Sequence, residues 1–171
     1  MNWFWQSKNK NTFQPKIGDF ITNRHYNNGS HTHAIYVKSI SDISYWGEEF
    51  VYSEEYGIHH MGSDSLPIGV ECYPSSFPEE QRQFIIDYLD WCKTATVPAN
   101  VYHFKRHLEG RTDWTLIIND KFHFIGTDET KAKEIEQQLI TAINNREIIV
   151  INDTNICGGG VVSFKLESTV Y

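Results

Sequence analysis

The chain has 171 residues, 40% of them hydrophobic and 14% aromatic, so it can bury a core of its own. Its 22 acidic and 15 basic residues give a net charge of -7, which repels phosphate backbones and anionic lipid, so neither nucleic acid nor a membrane surface is expected as a partner. Three cysteines, Cys72, Cys92 and Cys157, cannot all pair, and no signal-peptide pattern opens the chain. We therefore expect a cytoplasmic protein with reduced thiols.

Residues 1–15 are predicted to form an N-terminal arm, in which Trp3, Phe4 and Trp5 precede a polar run that ends at Pro15. The favoured interpretation is that these aromatics fold back onto the core, and the alternative is an exposed anchor for a partner. Residues 16–171 are predicted to form a single compact unit. A division into two small lobes, about 16–97 and 98–171, is left open.

The first half of the chain predicts short strands followed by a helix. The strands cover residues 17–22, 34–40, 50–53 and 68–72, with Asn, Gly, Ser and Asp in the links. Ser76-Phe77-Pro78-Glu79 has the spacing of a capping box, which predicts that Ser76 caps the helix. Apolar residues then recur at helical spacing before Pro98: Phe84, Ile85, Tyr88, Leu89, Trp91, Cys92 and Ala95.

The second half predicts a hairpin, a helix and further strands. Residues 101–108 are ambiguous between helix and strand, and a strand is preferred. Two apolar runs, at 114–118 and 122–125, flank a tight Asn119-Asp120-Lys121 turn and predict a hairpin. Thr127 or Asp128 should cap the second helix, whose apolar stripe comprises Ala132, Ile135, Leu139, Ala142 and Ile143.

A strand at 148–151, a glycine corner and a final strand complete the chain. No Lys-Ser or Lys-Thr pair follows Cys157-Gly158-Gly159-Gly160, so a wide turn is favoured over a phosphate loop. The predicted fold class is α+β, with a mostly antiparallel β-sheet of meanders covered by two main helices.

Histidines suggest one possible metal site. His31 and His33 lie two residues apart, so in a strand both side chains would lie on one face, as in a half-site for a transition metal. His59 could supply a third ligand, or His60 in its place. Solvated loop histidines are favoured over such a site, and no cofactor is predicted.

Two segments resemble the permuted papain-like hydrolases of the NlpC/P60 and lecithin retinol acyltransferase type. They are Gly18-Asp19-Phe20-Ile21 and the strand His33-Ala34-Ile35-Tyr36-Val37. The resemblance implies a cysteine hydrolase with a catalytic histidine two residues before Ala34. That position is Thr32 here, and His33 is displaced by one residue, which sends its side chain to the other face. None of the three cysteines lies at a predicted helix N-terminus, where the family's nucleophile should be.

An acidic segment brackets two aromatic residues. Glu48 and Glu49 precede Phe50 and Tyr52, and Glu54-Glu55 follow. A charged edge strand that resists aggregation is the simplest interpretation. The functional interpretation is a docking surface, in which aromatic anchors lie within negative charge suited to a basic groove.

The favoured function is a non-enzymatic binding protein, of the kind represented by immunity proteins and anti-defence inhibitors. It would occupy a basic site on a partner protein through Glu48, Glu49, Phe50, Tyr52, Glu54 and Glu55. This expectation depends on size, charge and the lack of a catalytic motif. The alternative is a small hydrolase or metal-dependent enzyme that uses the His31 and His33 region with His59, His60 or Cys72.

Overall fold

A computed structural model describes residues 13–23 and 31–171. Trp3, Phe4 and Trp5 of the predicted arm lie outside these residues. The fold is α+β with mostly antiparallel strands and three helices in the described ranges, which confirms the predicted class. The sequence favours one unit, with a division near residue 97 as the alternative. Among the described residues the structure shows two compact units, one that ends at Lys105 and one that spans Arg106–Tyr171.

The first unit contains a five-stranded antiparallel sheet with the order β4-β3-β2-β1-β5. A 17-residue helix, α1, follows the sheet, and a short helix, α2, follows α1 and runs past the end of this unit at Lys105. The bounds are β1 (Phe20–Thr22), β2 (Thr32–Ile40), β3 (Ser44–Ser53), β4 (Gly57–Pro67), β5 (Tyr73–Pro74), α1 (Glu79–Ala95) and α2 (Val101–Leu108).

Both faces of this sheet carry buried side chains, because alternate residues of each strand point to opposite faces. Ala34 and Phe50 face α1 and pack with its buried residues Ile85, Tyr88 and Leu89. On the other face, a smaller cluster is made by Ile21, Ile35, Val37 and Leu66, with Phe13, Tyr45 and Cys72 against it. The apolar stripe predicted for α1 therefore forms part of the core.

Several predictions for the first unit are wrong in detail. Residues 101–108 form a helix, because Asn100 caps it: the Asn100 side-chain oxygen accepts a hydrogen bond from the backbone N–H of His103 at 2.8 Å. The predicted cap by Ser76 is not formed. The residue before α1 is Pro78, and the Ser75 hydroxyl instead accepts from the N–H of Phe77. Residues 68–72 form a turn, and β4 was not predicted.

The second unit has a three-stranded antiparallel sheet, order β10-β6-β7, a helix α3 and a two-stranded hairpin, β8-β9. The bounds are β6 (Thr112–Ile118), β7 (Lys121–Gly126), α3 (Glu129–Asn145), β8 (Ile148–Ile151), β9 (Thr154–Cys157) and β10 (Phe164–Val170). The predicted hairpin is confirmed, with Asn119 and Asp120 at φ 48° and 64° in its turn. Of the two predicted caps, Thr127 and Asp128, it is Asp128 that caps α3, accepting from the N–H of Lys131 at 3.1 Å.

The glycine corner forms a short 3-10 helix, Gly158–Gly160. A Cβ atom at Gly158 would lie 2.1 Å from the carbonyl oxygen of Ala142, so the last turn of α3 leaves no room for a side chain there. The close approach of two backbones therefore explains why the first of these glycines is needed.

Candidate functional site

A polar cluster is centred on the buried carboxylate of Glu48, in the middle of β3. This carboxylate accepts a hydrogen bond from the ammonium group of Lys38 at 2.8 Å and lies 2.9 Å from Nε2 of His60. The hydroxyl of Ser63 donates to the same carboxylate. The Glu48 side chain is 4% exposed and that of His60 is fully buried. We call these four residues, Lys38, Glu48, His60 and Ser63, the Glu48 cluster.

Two β-bulges bring these side chains together. In β4 the register shifts at Met61, because Glu49 pairs with Gly62 whereas Phe50 pairs with His60. The extra residue places His60, rather than Met61, on the same face as Ser63. Gly62, at φ 115°, allows the bend. In β2 the corresponding shift falls at Lys38, between Val37 and Ser39.

The cluster holds Glu48 in its charged form. Burial by itself would raise the pKa of Glu48, but the hydrogen bonds from His60 and Lys38 and the charge of Lys38 outweigh that effect and hold the pKa below its usual value. A buried carboxylate of this kind is stabilised only while its partners remain in place.

The same geometry corrects the predicted docking surface. Phe50 is 0% exposed, and its ring stacks on that of His60 at 4.7 Å between centroids. Glu48 is buried as well, so neither side chain is accessible to a partner. Tyr52 is half-buried, with its ring against that of Phe77.

Glu49 lies on the opposite face of β3, where its carboxylate is 2.8 Å from Nε2 of His33. An ion pair would raise the pKa of the histidine and lower that of the carboxyl. Here burial lowers the pKa of His33 against the effect of Asp64, and burial together with Asp64 raises the pKa of Glu49. Both shifts favour the neutral forms, so burial outweighs the stabilisation that the two groups would give each other as ions.

The three histidines of the predicted metal site are not brought together. The residue pairs of the sheet run from His33 to Val51 to His59, so a whole strand separates the two histidines, a distance of roughly 10 Å. The His59 ring is hydrogen-bonded to the carbonyl of Tyr56 at 2.9 Å, and His31 is exposed. In residues 13–23 and 31–171, no group of three or more His, Cys, Asp or Glu side chains could hold a metal ion.

The other residues of the alternative enzyme site lie on different faces of the sheet. His60 faces α1, whereas Cys72 packs against the cluster of Ile21 and Ile35 on the opposite face. Burial raises the pKa of the Cys72 thiol, so the thiolate that a nucleophile needs is disfavoured. The arrangement implied by the papain-like resemblance is therefore not assembled from these residues.

The exposed part of the acidic segment is the turn between β3 and β4. Glu54, Glu55 and Tyr56 form this turn and are all exposed, with Tyr56 at 64%. The hydroxyl of Ser53 accepts from the N–H of Tyr56 at 3.0 Å, and the Glu55 carboxylate accepts from the Tyr56 hydroxyl and raises the pKa of that tyrosine. We call these three residues the acidic turn.

A groove of about 560 Å³ runs beside the acidic turn. Its lining comprises the turn itself together with His31, Thr32, Tyr52, Ser53 and Pro78. Sequence reasoning singled out Glu54 and Glu55 but missed Tyr56, although its aromatic ring next to two acidic residues before Gly57 was visible in the sequence.

Comparison of the chain with protein-family models, with curated proteins and with solved structures finds no match. In the described ranges, no helix combines the length and the apolar character needed to cross a bilayer.

Proposed function

We propose that this protein is a non-enzymatic binding protein, an inhibitor of the immunity or anti-defence kind, which occupies a basic site on a partner protein. The acidic turn would enter that site. The observation that carries the proposal is an exposed tyrosine ring that follows two exposed glutamates and lines the same groove, on a turn whose backbone is hydrogen-bonded to the hydroxyl of Ser53.

The chemistry of the turn suits a basic site. Tyrosine is enriched among the residues that dominate binding energy, because its ring buries a large area at a small cost in conformational entropy. Carboxylates beside it would pair with lysine or arginine of the partner and would disfavour acidic competitors. The net charge of -7 would also accelerate association with a basic surface.

The Glu48 cluster has a different role in this proposal. Glu48 and His60 are buried behind Phe50 and α1, so they would support β3 and β4, which carry the turn, without contacting the partner. We therefore retain Glu54, Glu55 and Tyr52 from the predicted docking surface, and we add Tyr56 to it.

The test compares charge reversal at the turn with the same reversal elsewhere. The untagged protein would be used to capture partners from its native lysate, and one stoichiometric basic protein is expected. Glu54→Lys with Glu55→Lys should reduce the association rate about tenfold or more and weaken its dependence on salt. Tyr56→Ala should mainly accelerate dissociation.

The matched control is Glu109→Lys with Glu134→Lys, because both residues are exposed and the change in net charge is the same. This control should retain most of the affinity. Equal losses from both double variants would mean that only net charge matters, and an unchanged affinity of the turn variant would contradict the proposed surface.

A further inference from the structure

A cleft of about 270 Å³ lies in the first unit between β2, the second half of α1 and the segment that follows α1. Apolar side chains, including Leu89, Val97 and Ala99, form its walls. Leu89 is only 5% exposed, so this part of the wall belongs to the packed core. The cleft is separate from the acidic turn, which lies in the link between β3 and β4.

The polar side chains that line this cleft are all hydrogen-bond donors. They are the ammonium groups of Lys38 and Lys93, the hydroxyl of Tyr36 and the thiol of Cys92. Burial raises the pKa of Cys92, so the thiol keeps its proton. The adjacent Asp90 raises the pKa of Lys93, which keeps its charge. No carboxylate lines the cleft, although acidic residues outnumber basic ones in the chain.

The ammonium group of Lys38 can donate hydrogen bonds to a ligand and to Glu48 at the same time. Its ammonium group has three N–H donors, and the structure uses the one directed at the buried Glu48. The Lys38 side chain is 46% exposed, whereas that of Glu48 is 4% exposed and lies beneath it. A hydrogen-bond acceptor in the cleft would therefore contact the ammonium group of Lys38 and not the carboxylate of Glu48.

We propose that this cleft binds a small organic anion with an apolar tail, whose carboxylate contacts Lys38 and Lys93 and whose tail lies along Leu89 and Val97. Lys38 pairs with Glu48 at 2.8 Å and Lys93 pairs with Asp90 at 2.7 Å, so each ammonium group would meet the anion through the N–H donors that these pairs leave over. An apolar tail is required because the walls are aliphatic, and bare inorganic anions would leave them exposed to water.

The probe is hexanoate, with hexylamine and hexanol as ligands of similar length and different charge. Binding would be followed by chemical-shift changes in two-dimensional NMR spectra of the full chain. Hexanoate should bind more tightly than either of the other two, and its shifts should cluster at the cleft. Lys93→Met should weaken hexanoate about tenfold, the usual effect of losing one charge-assisted hydrogen bond, and should leave hexanol unchanged.

Lys93 suits this test because its side chain is 73% exposed, so its loss does not threaten the fold. Lys131→Met, at an exposed position of α3, is the matched control and should have no effect. Val97→Trp should fill the cleft and abolish binding of both hexanoate and hexanol. The proposal is overturned if hexanoate does not bind, if hexylamine binds equally well, or if Lys93→Met leaves hexanoate affinity unchanged.

Discussion

The carboxylate of Glu48 lies 2.9 Å from Nε2 of His60, and both side chains are buried between the sheet of the first unit and α1. An acidic residue that looked like part of a docking surface thus belongs to the interior. The consequence is that charge changes at Glu48 should alter stability, whereas charge changes at Glu54 and Glu55 should alter binding.

Glu48→Gln should reduce the free energy of unfolding by about 2 kcal/mol at pH 7, because hydrogen bonds to a charged group are replaced by weaker ones to an amide. The pKa of Glu48 is lower in the folded chain than its ordinary value of 4.5, so its contribution is complete above pH 4.5 and is lost as pH falls through the folded pKa. The variant should therefore lose less stability than the wild type on acidification.

Urea denaturation at a series of pH values measures this difference. Glu55→Gln, in the exposed turn, is the control and should follow the wild type at neutral pH. If the Glu48→Gln variant and the wild type differed by the same amount at pH 7 and at pH 3, the charged form of Glu48 would not contribute to stability.

Gly158→Ala should destabilise the second unit by about 2 kcal/mol, because a Cβ atom there would overlap the carbonyl of Ala142. Gly160→Ala, two residues along the same 3-10 helix, meets open space and should change stability little. Denaturation curves of the two variants test this directly. Equal stabilities would show that α3 can move away from the glycine corner at no cost.

Asp113→Asn should reduce the free energy of unfolding by about 3 kcal/mol. Asp113 is 6% exposed, and its carboxylate accepts a hydrogen bond from Nε of Arg111 at 2.6 Å and forms an ion pair with Arg106, whose Nε lies 2.9 Å away. Glu167→Gln, which breaks an exposed pair with Lys165, should cost about 0.5 kcal/mol or less. Thermal or chemical denaturation compares the two, and similar losses would argue against a structural role for the buried carboxylate.

Alkylation should distinguish the three free cysteines. Cys157 is exposed, whereas Cys92 is buried and burial raises the pKa values of Cys72 and Cys92. Iodoacetamide at neutral pH should therefore add one group rapidly, at Cys157, as measured by intact mass. Cys157→Ser should remove this rapid phase, and rapid modification of Cys92 in the folded protein would contradict its burial.

The sequence by itself determined the elements whose signals are local. The Asn119-Asp120 turn, the cap of α3 at Thr127 or Asp128 and the apolar stripe of α3 each depend on a few neighbouring residues, and all three were predicted. The α+β class followed from the same periodicities. For the candidate site, the local pattern identified the acidic segment, including the exposed residues Glu54 and Glu55. It did not show that Glu48 and Phe50 of the same segment are buried.

Only the tertiary structure decided the composition of the interior and of the two proposed binding sites. The bulges at Lys38 and Met61 shift the register by one residue, and such a shift moves a side chain to the other face of a sheet. Strict alternation along β4 would have placed Met61 beside Ser63 in place of His60. A β-bulge depends on how two strands pair, so the sequence of one strand alone does not reveal the Glu48 cluster. Nor does it reveal the cleft that is lined by Lys38 and residues of α1.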